Sequence, residues 1–348
     1  MVTTEESLDW ATFTTVSYDY FLQDELCDNS DAMQFGTIWT PVLFSIVVAL
    51  SFFGNILVIV ILAMYENLKS LTNAFILNLA VSDLLFTAGL PFWAYYHIYG
   101  WNLGEPACKL IHFVYCVGFY SSSILLILMT VHRYIAVMRP LSNIVLATGY
   151  NSVLASVIIW AISILISCPA FIFIHVRDEN QCVYANSSSA LWGTYQQNIF
   201  FALSSLVFIF CYSQIICRLL RPTAQKRKPK TLKLIFTLMV VFFMGWAPYN
   251  IIIFLQSLYF WRLESLDANT LRKQCEIEKQ LEYAFYVSRI FAFSHCCLNP
   301  VFYVFVGVKF KNHLKKMLKS FGNNRGSIRS RQNRLTITSL TSGEEFSM

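Results

Sequence analysis

Residues Gly36–Met64 read GTIWTPVLFSIVVALSFFGNILVIVILAM, a run with no Asp, Glu, Lys, Arg or His. The hydrocarbon core of a bilayer is about 30 Å thick, so a helix needs about 20 mainly apolar residues to cross it, and lipid offers no water to an open backbone. This run is long enough to cross. Six further stretches qualify: Thr72–Ile98, Ala107–Met138, Tyr150–Ile174, Thr194–Leu219, Leu232–Tyr259 and Gln280–Phe305. The pattern predicts an all-α membrane protein, a seven-transmembrane helix bundle. Composition agrees, because 56% of the 348 residues are hydrophobic and only 13% charged, against roughly 25% charged in a soluble domain. Mean hydropathy is +0.52. Extensive disorder, collagen-like repeats and nucleic-acid binding are excluded by these figures. The ten cysteines include no C-x-x-C, and Cys296-Cys297 lies in an apolar stretch, so zinc and thioredoxin-like chemistry have no support.

Charge sets the orientation. Ahead of the first span stand eight acidic residues and no Lys or Arg, whereas Arg221, Lys226, Arg227, Lys228 and Lys230 separate spans five and six, and a Lys/Arg-rich segment follows span seven. By the positive-inside rule the amino terminus is extracellular and the carboxyl terminus cytoplasmic, in a multi-pass plasma-membrane protein. No signal-peptide pattern is expected, the first span serving as the targeting signal. The divisions are an acidic extracellular arm over 1–35, the bundle over 36–305, a short amphipathic inner helix over 306–320 and a cytoplasmic Ser/Thr-rich tail over 321–348. The inner helix mixes Lys309, Phe310, Leu314 and Met317 and is expected to lie on membrane lipid. Phosphorylation of the tail would supply acceptors for arrestin. The net charge of +6 is the sum of an acidic outer arm and a basic inner face, and needs no nucleic acid.

Four cysteines fall outside the membrane: Cys27, Cys108, Cys182 and Cys275. An oxidising compartment favours disulfides there, and four cysteines allow three pairings. Cys108 with Cys182 would tie the second outer loop over the bundle, and Cys27 with Cys275 would pin the arm beside span seven. Asn186 opens the one glycosylation sequon, Asn186-Ser187-Ser188. In the arm, Tyr18, Asp19, Tyr20, Asp24 and Glu25 form either a solvated tail or an electrostatic landing strip for a basic protein, which tyrosine sulfation would strengthen.

An ionisable group within the membrane usually faces the protein interior and has a partner. Asp83 is such a group, and Asn55, Ser122, His295 and Asn299 lie at depths that could surround it. The cluster suits a sodium ion or a structural water network, and both readings stand. Pro91, Pro169, Pro248 and Pro300 would kink their helices. Trp246-Ala247-Pro248 and Asn299-Pro300 place an aromatic and an amide beside weakened backbone, as a conformational switch would need. No arrangement of nucleophile, base and orienter points to an enzyme. No pair of matched halves points to a transporter, and no lysine in span seven could anchor retinal.

Together these residues resemble the rhodopsin-like G-protein-coupled receptors. The resemblance rests on Gly54-Asn55, Leu79-Ala80-Val81-Ser82-Asp83, Arg133-Tyr134, Trp160, Trp246-Ala247-Pro248 and Asn299-Pro300-Val301-Phe302-Tyr303. Pro91-Phe92-Trp93, residues 293–300 (FSHCCLNP) and the four outer cysteines are similar to chemokine receptors. Tyr65–Asn73 (YENLKSLTN), His132-Arg133-Tyr134 and Val306–Phe310 (VGVKF) resemble their XC branch. His132 stands where most chemokine receptors have Asp, Arg289 where many have Glu, and Ser204 where most have Pro; the XC branch is expected to share all three.

The resemblance implies a receptor that binds a C-type, lymphotactin-like chemokine outside and activates an inhibitory-class heterotrimeric G protein inside, driving chemotaxis. A scavenging receptor that internalises ligand without G-protein signalling and a CC-type receptor are the alternatives. The arm would hold the body of the ligand, while Trp93, Tyr115, Tyr249 and Arg289, with Glu282 near the rim, would line a pocket for its tail. Trp246 and Pro248 would pass the change to the Asp83 cluster, Asn299 and Pro300. His132, Arg133, Tyr134, Tyr212 and Tyr303 would shape the inner cleft. No cofactor is required, apart from the sodium ion considered above.

Overall fold

The computed structural model describes residues 30–68, 70–139, 150–177, 181–219, 229–262, 268–306, 310–317 and 319. The helices are α1 (Ser30–Tyr65), α2 (Leu71–Tyr99), α3 (Glu105–Met138), α4 (Tyr150–Phe173), α5 (Ser187–Leu219), α6 (Pro229–Arg262), α7 (Ala268–Phe293) and α8 (His295–Val306), with a helical stretch over 310–317. Between α4 and α5 an antiparallel hairpin pairs β1 (Ile174–Arg177) with β2 (Gln181–Tyr184), setting Val176 opposite Cys182.

The helices are apolar outside and carry their polar residues inside. Phe53 is 71% exposed and Leu165 69% exposed, whereas Asn55, Asp83 and Ser122 have no exposure. Water would penalise that arrangement, and lipid favours it, because an apolar tail competes with no hydrogen bond and an interior polar group finds its partner in the next helix. Six helices, α1 to α6, are long and apolar enough to cross a membrane.

The seventh crossing differs from its expected form. The sequence places one span at Gln280–Phe305, but the structure starts α7 at Ala268 and breaks it after Phe293, with Ser294 as a turn before α8. The outer part of α7 carries Glu276, Glu278, Lys279 and Glu282, which removes it from the apolar class. At the break Ser294 N–H still reaches Ile290 O at 3.0 Å and Ser294 O accepts from Cys297 N–H at 3.1 Å, so the turn leaves few backbone groups open. Other boundaries shift as well. Helix α5 begins at Ser187 rather than Thr194, where exposed Asn186 caps it by accepting Ser189 N–H at 2.8 Å, and Ile174, counted with span four, opens β1.

Two glycines set how closely helices approach. A Cβ on Gly54 would sit 2.9 Å from Pro300, and one on Gly118 would sit 2.5 Å from the backbone nitrogen of Phe86. Beside Gly54, Asn55 does a second job. Pro300 has no N–H for the carbonyl of Cys296, four residues earlier. Asn55 Nδ2 donates to that carbonyl at 2.9 Å, so α1 satisfies the group that the proline of α8 leaves open. Trp160 ties α4 to α2 by donating to Asn78 Oδ1 at 2.9 Å.

Cys108 at the head of α3 is bonded to Cys182 of β2, with Cα atoms 5.8 Å apart, so the hairpin is fastened to the bundle. Cys275 is also in a disulfide, and Cys27 lies outside the described residues. At the inner end, the ring of His313 stacks on Tyr65 with centroids 5.2 Å apart and pairs with Glu66 at 3.0 Å, which holds the 310–317 helix beside α1.

Gly118→Ala would press a methyl group against the backbone of Phe86, which cannot yield as a side-chain tip can. The expected outcome is a loss of about 1–3 kcal/mol and a lower melting temperature for the detergent-purified protein. An unchanged melting temperature would mean that α2 and α3 can separate without cost.

Candidate functional site

Three linked layers of side chains run down the axis of the bundle. The outer layer is aromatic around one cation. Trp93 of α2 packs edge-on to His112 of α3 at 5.5 Å and to Tyr115 at 6.5 Å, and Tyr115 meets Phe293 of α7 at 5.5 Å. Tyr249 of α6 lies 5.8 Å from Phe285 and 5.7 Å from Trp246. Arg289 is 9% exposed, its guanidinium facing Phe44, Phe285 and Tyr286 at 5.1–5.6 Å, and it donates through Nη2 to His97 Nε2. Glu282, one turn and more toward the outer end of α7, accepts from Gln256 of α6 at 3.3 Å. The expected pocket residues thus share one region, and the structure adds His97, His112 and Phe285, which the sequence did not reveal. Two histidines and a phenylalanine on three separate helices gave no signal that they would meet.

Several polar atoms of this layer have no protein partner: Trp93 Nε1, His112 Nδ1 and Arg289 Nε. A wall with so many spare polar atoms is matched by a chain rich in carbonyls, such as an extended peptide. From the hairpin, Tyr184 closes on His112 with ring centroids 6.0 Å apart, and burial pushes its phenol up, so it stays a neutral hydroxyl.

The middle layer joins Trp246 to Asp83. Trp246 is fully buried, 4.4 Å from Phe119 and 5.4 Å from His295 between ring centroids. Asp83 accepts from Ser122 Oγ at 3.0 Å and from Asn299 Nδ2 at 2.7 Å, so three of the five expected residues share one carboxylate cluster. His295 Nδ1 donates to Ala292 O at 2.7 Å, which fixes the tautomer and leaves Nε2 as an acceptor. That Nε2 faces Asp83 Oδ1 at 4.0 Å. Two acceptors face each other there, and a cation or a water donating to both would satisfy them.

Asn55 stands apart from this cluster. It donates to Ser51 Oγ and Cys296 O rather than meeting Asp83, and its Oδ1 has no partner. The link runs through Ser51, hydrogen-bonded to Thr87 at 2.6 Å, and Thr87, which donates to the backbone oxygen of Asp83 at 2.6 Å. Asn55 serves the proline-opened backbone, so it is not brought against the carboxylate. Among the described residues no group of three or more His, Cys, Asp or Glu side chains could hold a metal ion. A monovalent ion with mainly oxygen partners fits what is present: the Asp83 carboxylate, the Ser122 hydroxyl and the open side of His295.

The inner layer centres on Arg133. With His132 beside it instead of an acid, the guanidinium donates through Nη2 to Thr72 Oγ1 of α2 at 3.2 Å, and its Nε has no partner. Tyr212 and Tyr303 bring two more buried hydroxyls. Tyr134 turns away to pack on Phe210 of α5 at 5.8 Å. Tyr18, Asp19, Tyr20, Asp24 and Glu25 lie outside the described residues.

Comparison with known proteins accords with this layout. The family model for the 7 transmembrane receptor (rhodopsin family) matches residues 54–303. Chemokine XC receptor 1 of Homo sapiens is 43% identical over 308 residues, 88% of this chain and 89% of that receptor. Chemokine XC receptor 1 of Mus musculus is 42% identical over 306 residues, 88% of this chain and 91% of that receptor. C-C chemokine receptor type 4 of Homo sapiens is 34% identical over 313 residues, covering 87% and 84% of the two chains. With polar residues turned inward, a disulfide-fastened outer hairpin and these matches along its length, the chain belongs to the chemokine receptors of the rhodopsin family, multi-pass membrane receptors and not enzymes.

Proposed function

We propose that this receptor binds a C-type chemokine at the outer face of the plasma membrane and activates an inhibitory-class heterotrimeric G protein on the cytoplasmic side. The observation that carries the reading is the similarity to Chemokine XC receptor 1 of two species over 88% of the chain. The acidic arm steers the folded body of the ligand, its tyrosines open to sulfation. The tail then enters among Trp93, Tyr115, Tyr249 and Arg289, with Glu282 at the rim. Binding favours the active state only if the tail contacts it better than the resting state. Trp246 couples the pocket to His295, and from there to Asp83, Ser122 and Asn299. Release of Arg133 from Thr72 opens the inner cleft beside Tyr212 and Tyr303. A phosphorylated tail then recruits arrestin, the 310–317 helix rests on lipid headgroups, and Asn186 carries glycan on the outer side.

Retention of Arg133, Tyr134, Asn299 and Tyr303 favours signalling over scavenging. In cells expressing this chain, inhibition of cAMP formation should follow a C-type chemokine and not a panel of CC and CXC chemokines. Uptake of ligand with unchanged cAMP would point to the scavenger instead, and a response confined to a CC chemokine to the CC type. At matched surface expression Arg289→Ala should raise the EC50 by about tenfold, the scale of one lost charge-assisted hydrogen bond.

His132→Asp places a carboxylate next to Arg133, where a partly buried ion pair is worth up to about 1 kcal/mol. Basal signalling should fall by up to about fivefold relative to the natural chain, and equal basal levels would remove the ion-pair explanation. A sodium ion at Asp83 and Ser122 would stabilise the resting arrangement. Replacing N-methylglucamine chloride by sodium chloride at constant ionic strength should weaken chemokine binding, and Asp83→Asn should abolish that dependence; insensitivity of the natural chain to sodium would leave water as the occupant.

A further inference from the structure

Where α1 ends, a cavity of about 590 Å³ opens between Tyr65 and Glu66 on one side and the 310–319 segment on the other, which contributes Asn312, His313, Lys315, Lys316 and Lys319. Its size is that of a small-ligand site. Asn312, Lys315, Lys316 and Lys319 recur at three- and four-residue spacing, so they share one helix face, with about 6 Å of axis between the first lysine and the last. Phe310 packs on Tyr303 with ring centroids 6.1 Å apart, and His313 stacks on Tyr65 at 5.2 Å, so both walls are held by the bundle. The three lysines are exposed, and among the described residues no ion pair joins them to an acid. Glu66, the one carboxylate of the lining, has both oxygens engaged: Oε1 with His313 Nε2 at 3.0 Å and Oε2 with Asn73 Nδ2 at 3.1 Å.

Three ammonium groups around one space repel one another, and a polyvalent anion relieves all three contacts at once. A headgroup with a single phosphate meets only part of that charge. An inositol ring bearing two or more phosphates brings several anionic groups at fixed separation, and its hydroxyls suit the Asn312 amide and the Tyr65 phenol. The approach to the cavity is apolar. Val60 and Met64, on the last turns of α1, are 38% and 64% exposed, so acyl chains have a surface to follow up to the lysines. A soluble phosphate or an acidic peptide would make no use of that track. We propose that this cavity binds the headgroup of a phosphoinositide carrying two or more phosphates, with Lys315, Lys316 and Lys319 on the phosphates and the acyl chains along α1. The proposal rests on the reading of the carboxyl-terminal side as cytoplasmic, because inositol lipids belong to that leaflet. It narrows the expected contact of this helix with lipid to one class of lipid, chosen by the number of phosphates.

The test needs no chemokine, so it stands apart from the identity of the ligand. Radiolabelled dioctanoyl phosphatidylinositol bisphosphate is bound to the full chain in uncharged detergent, and unlabelled competitors are added at constant ionic strength. Dioctanoyl phosphatidylserine should compete at least tenfold more weakly than the unlabelled lipid itself. Inositol trisphosphate, which has the phosphates but no chains, should displace the label completely and also at least tenfold more weakly. Phosphatidylserine as strong as the bisphosphate would reduce the cavity to diffuse positive charge, and inositol trisphosphate as strong as the lipid would make a free phosphate compound the occupant. Polyglutamate as strong as the lipid would assign the lysines to an acidic protein instead. Each of these three outcomes overturns the proposal. Combined Lys315→Gln, Lys316→Gln and Lys319→Gln should lower affinity for the bisphosphate at least tenfold. Combined Arg325→Gln, Arg329→Gln and Arg331→Gln removes the same charge outside the lining of the cavity and should lower it less than twofold; equal losses would overturn the site. Both variants should keep the melting temperature of the natural chain, and the competition series decides selectivity without any variant. An antibody to a carboxyl-terminal tag should stain permeabilised cells alone. Staining of intact cells would place the cavity in the wrong leaflet and overturn the assignment, whereas failure of the lipid to bind would leave the proposed chemokine function standing.

Discussion

Inside a bilayer a backbone carbonyl that loses its donor cannot turn to water, and the carbonyl of Cys296 is under that constraint. Pro300 withdraws the N–H it would have received, Asn55 replaces it from α1, and Gly54 keeps the surface of α1 bare where the proline ring comes in. One missing hydrogen bond thereby brings two helices into register. From the same place Ser51 and Thr87 lead to Asp83, so the carboxylate cluster is attached to the backbone repair beside it. Any shift of α8 that breaks the Asn55 contact also disturbs the atoms around Asp83.

The three layers differ in how they treat unpaired polar atoms. In the middle, Asp83 has two donors and a facing histidine, and the unfilled space is small and shared. The outer layer leaves donors open on separate helices, as a surface waiting for peptide would. At the inner end Arg133 Nε is buried and unpaired, so a different arrangement of α3, α5 and α8 could satisfy it better. An interior with such local shortfalls can have a second packing close in energy, which a receptor requires.

The pocket is built around a cation and not around an acid. Arg289 lies among aromatic rings with His97 as its hydrogen-bond partner, so the pocket carries a buried cation. At the inner end His132 stands next to Arg133 in the chain, and the hydroxyl of Thr72 takes up part of the guanidinium. Both guanidinium groups are held by neutral partners, His97 and Thr72.

The chain's own order of residues determined the number of crossings and the inward location of Asp83, because transfer into lipid adds up along a short stretch and can be read without knowing what lies opposite; the class of receptor came from the resemblance of its motifs. All seven spans were legible in that way, and six of them are long apolar helices in the structure. The seventh was harder, since charges in the outer part of α7 and the turn at Ser294 divide its apolar signal. Only the tertiary structure decided that Asn55 serves Cys296 instead of Asp83, that Ile174–Arg177 pairs with Gln181–Tyr184, and that Arg289 meets His97 across 192 positions of chain. Those contacts depend on the rotation and crossing of separate helices, which no local pattern of residues encodes.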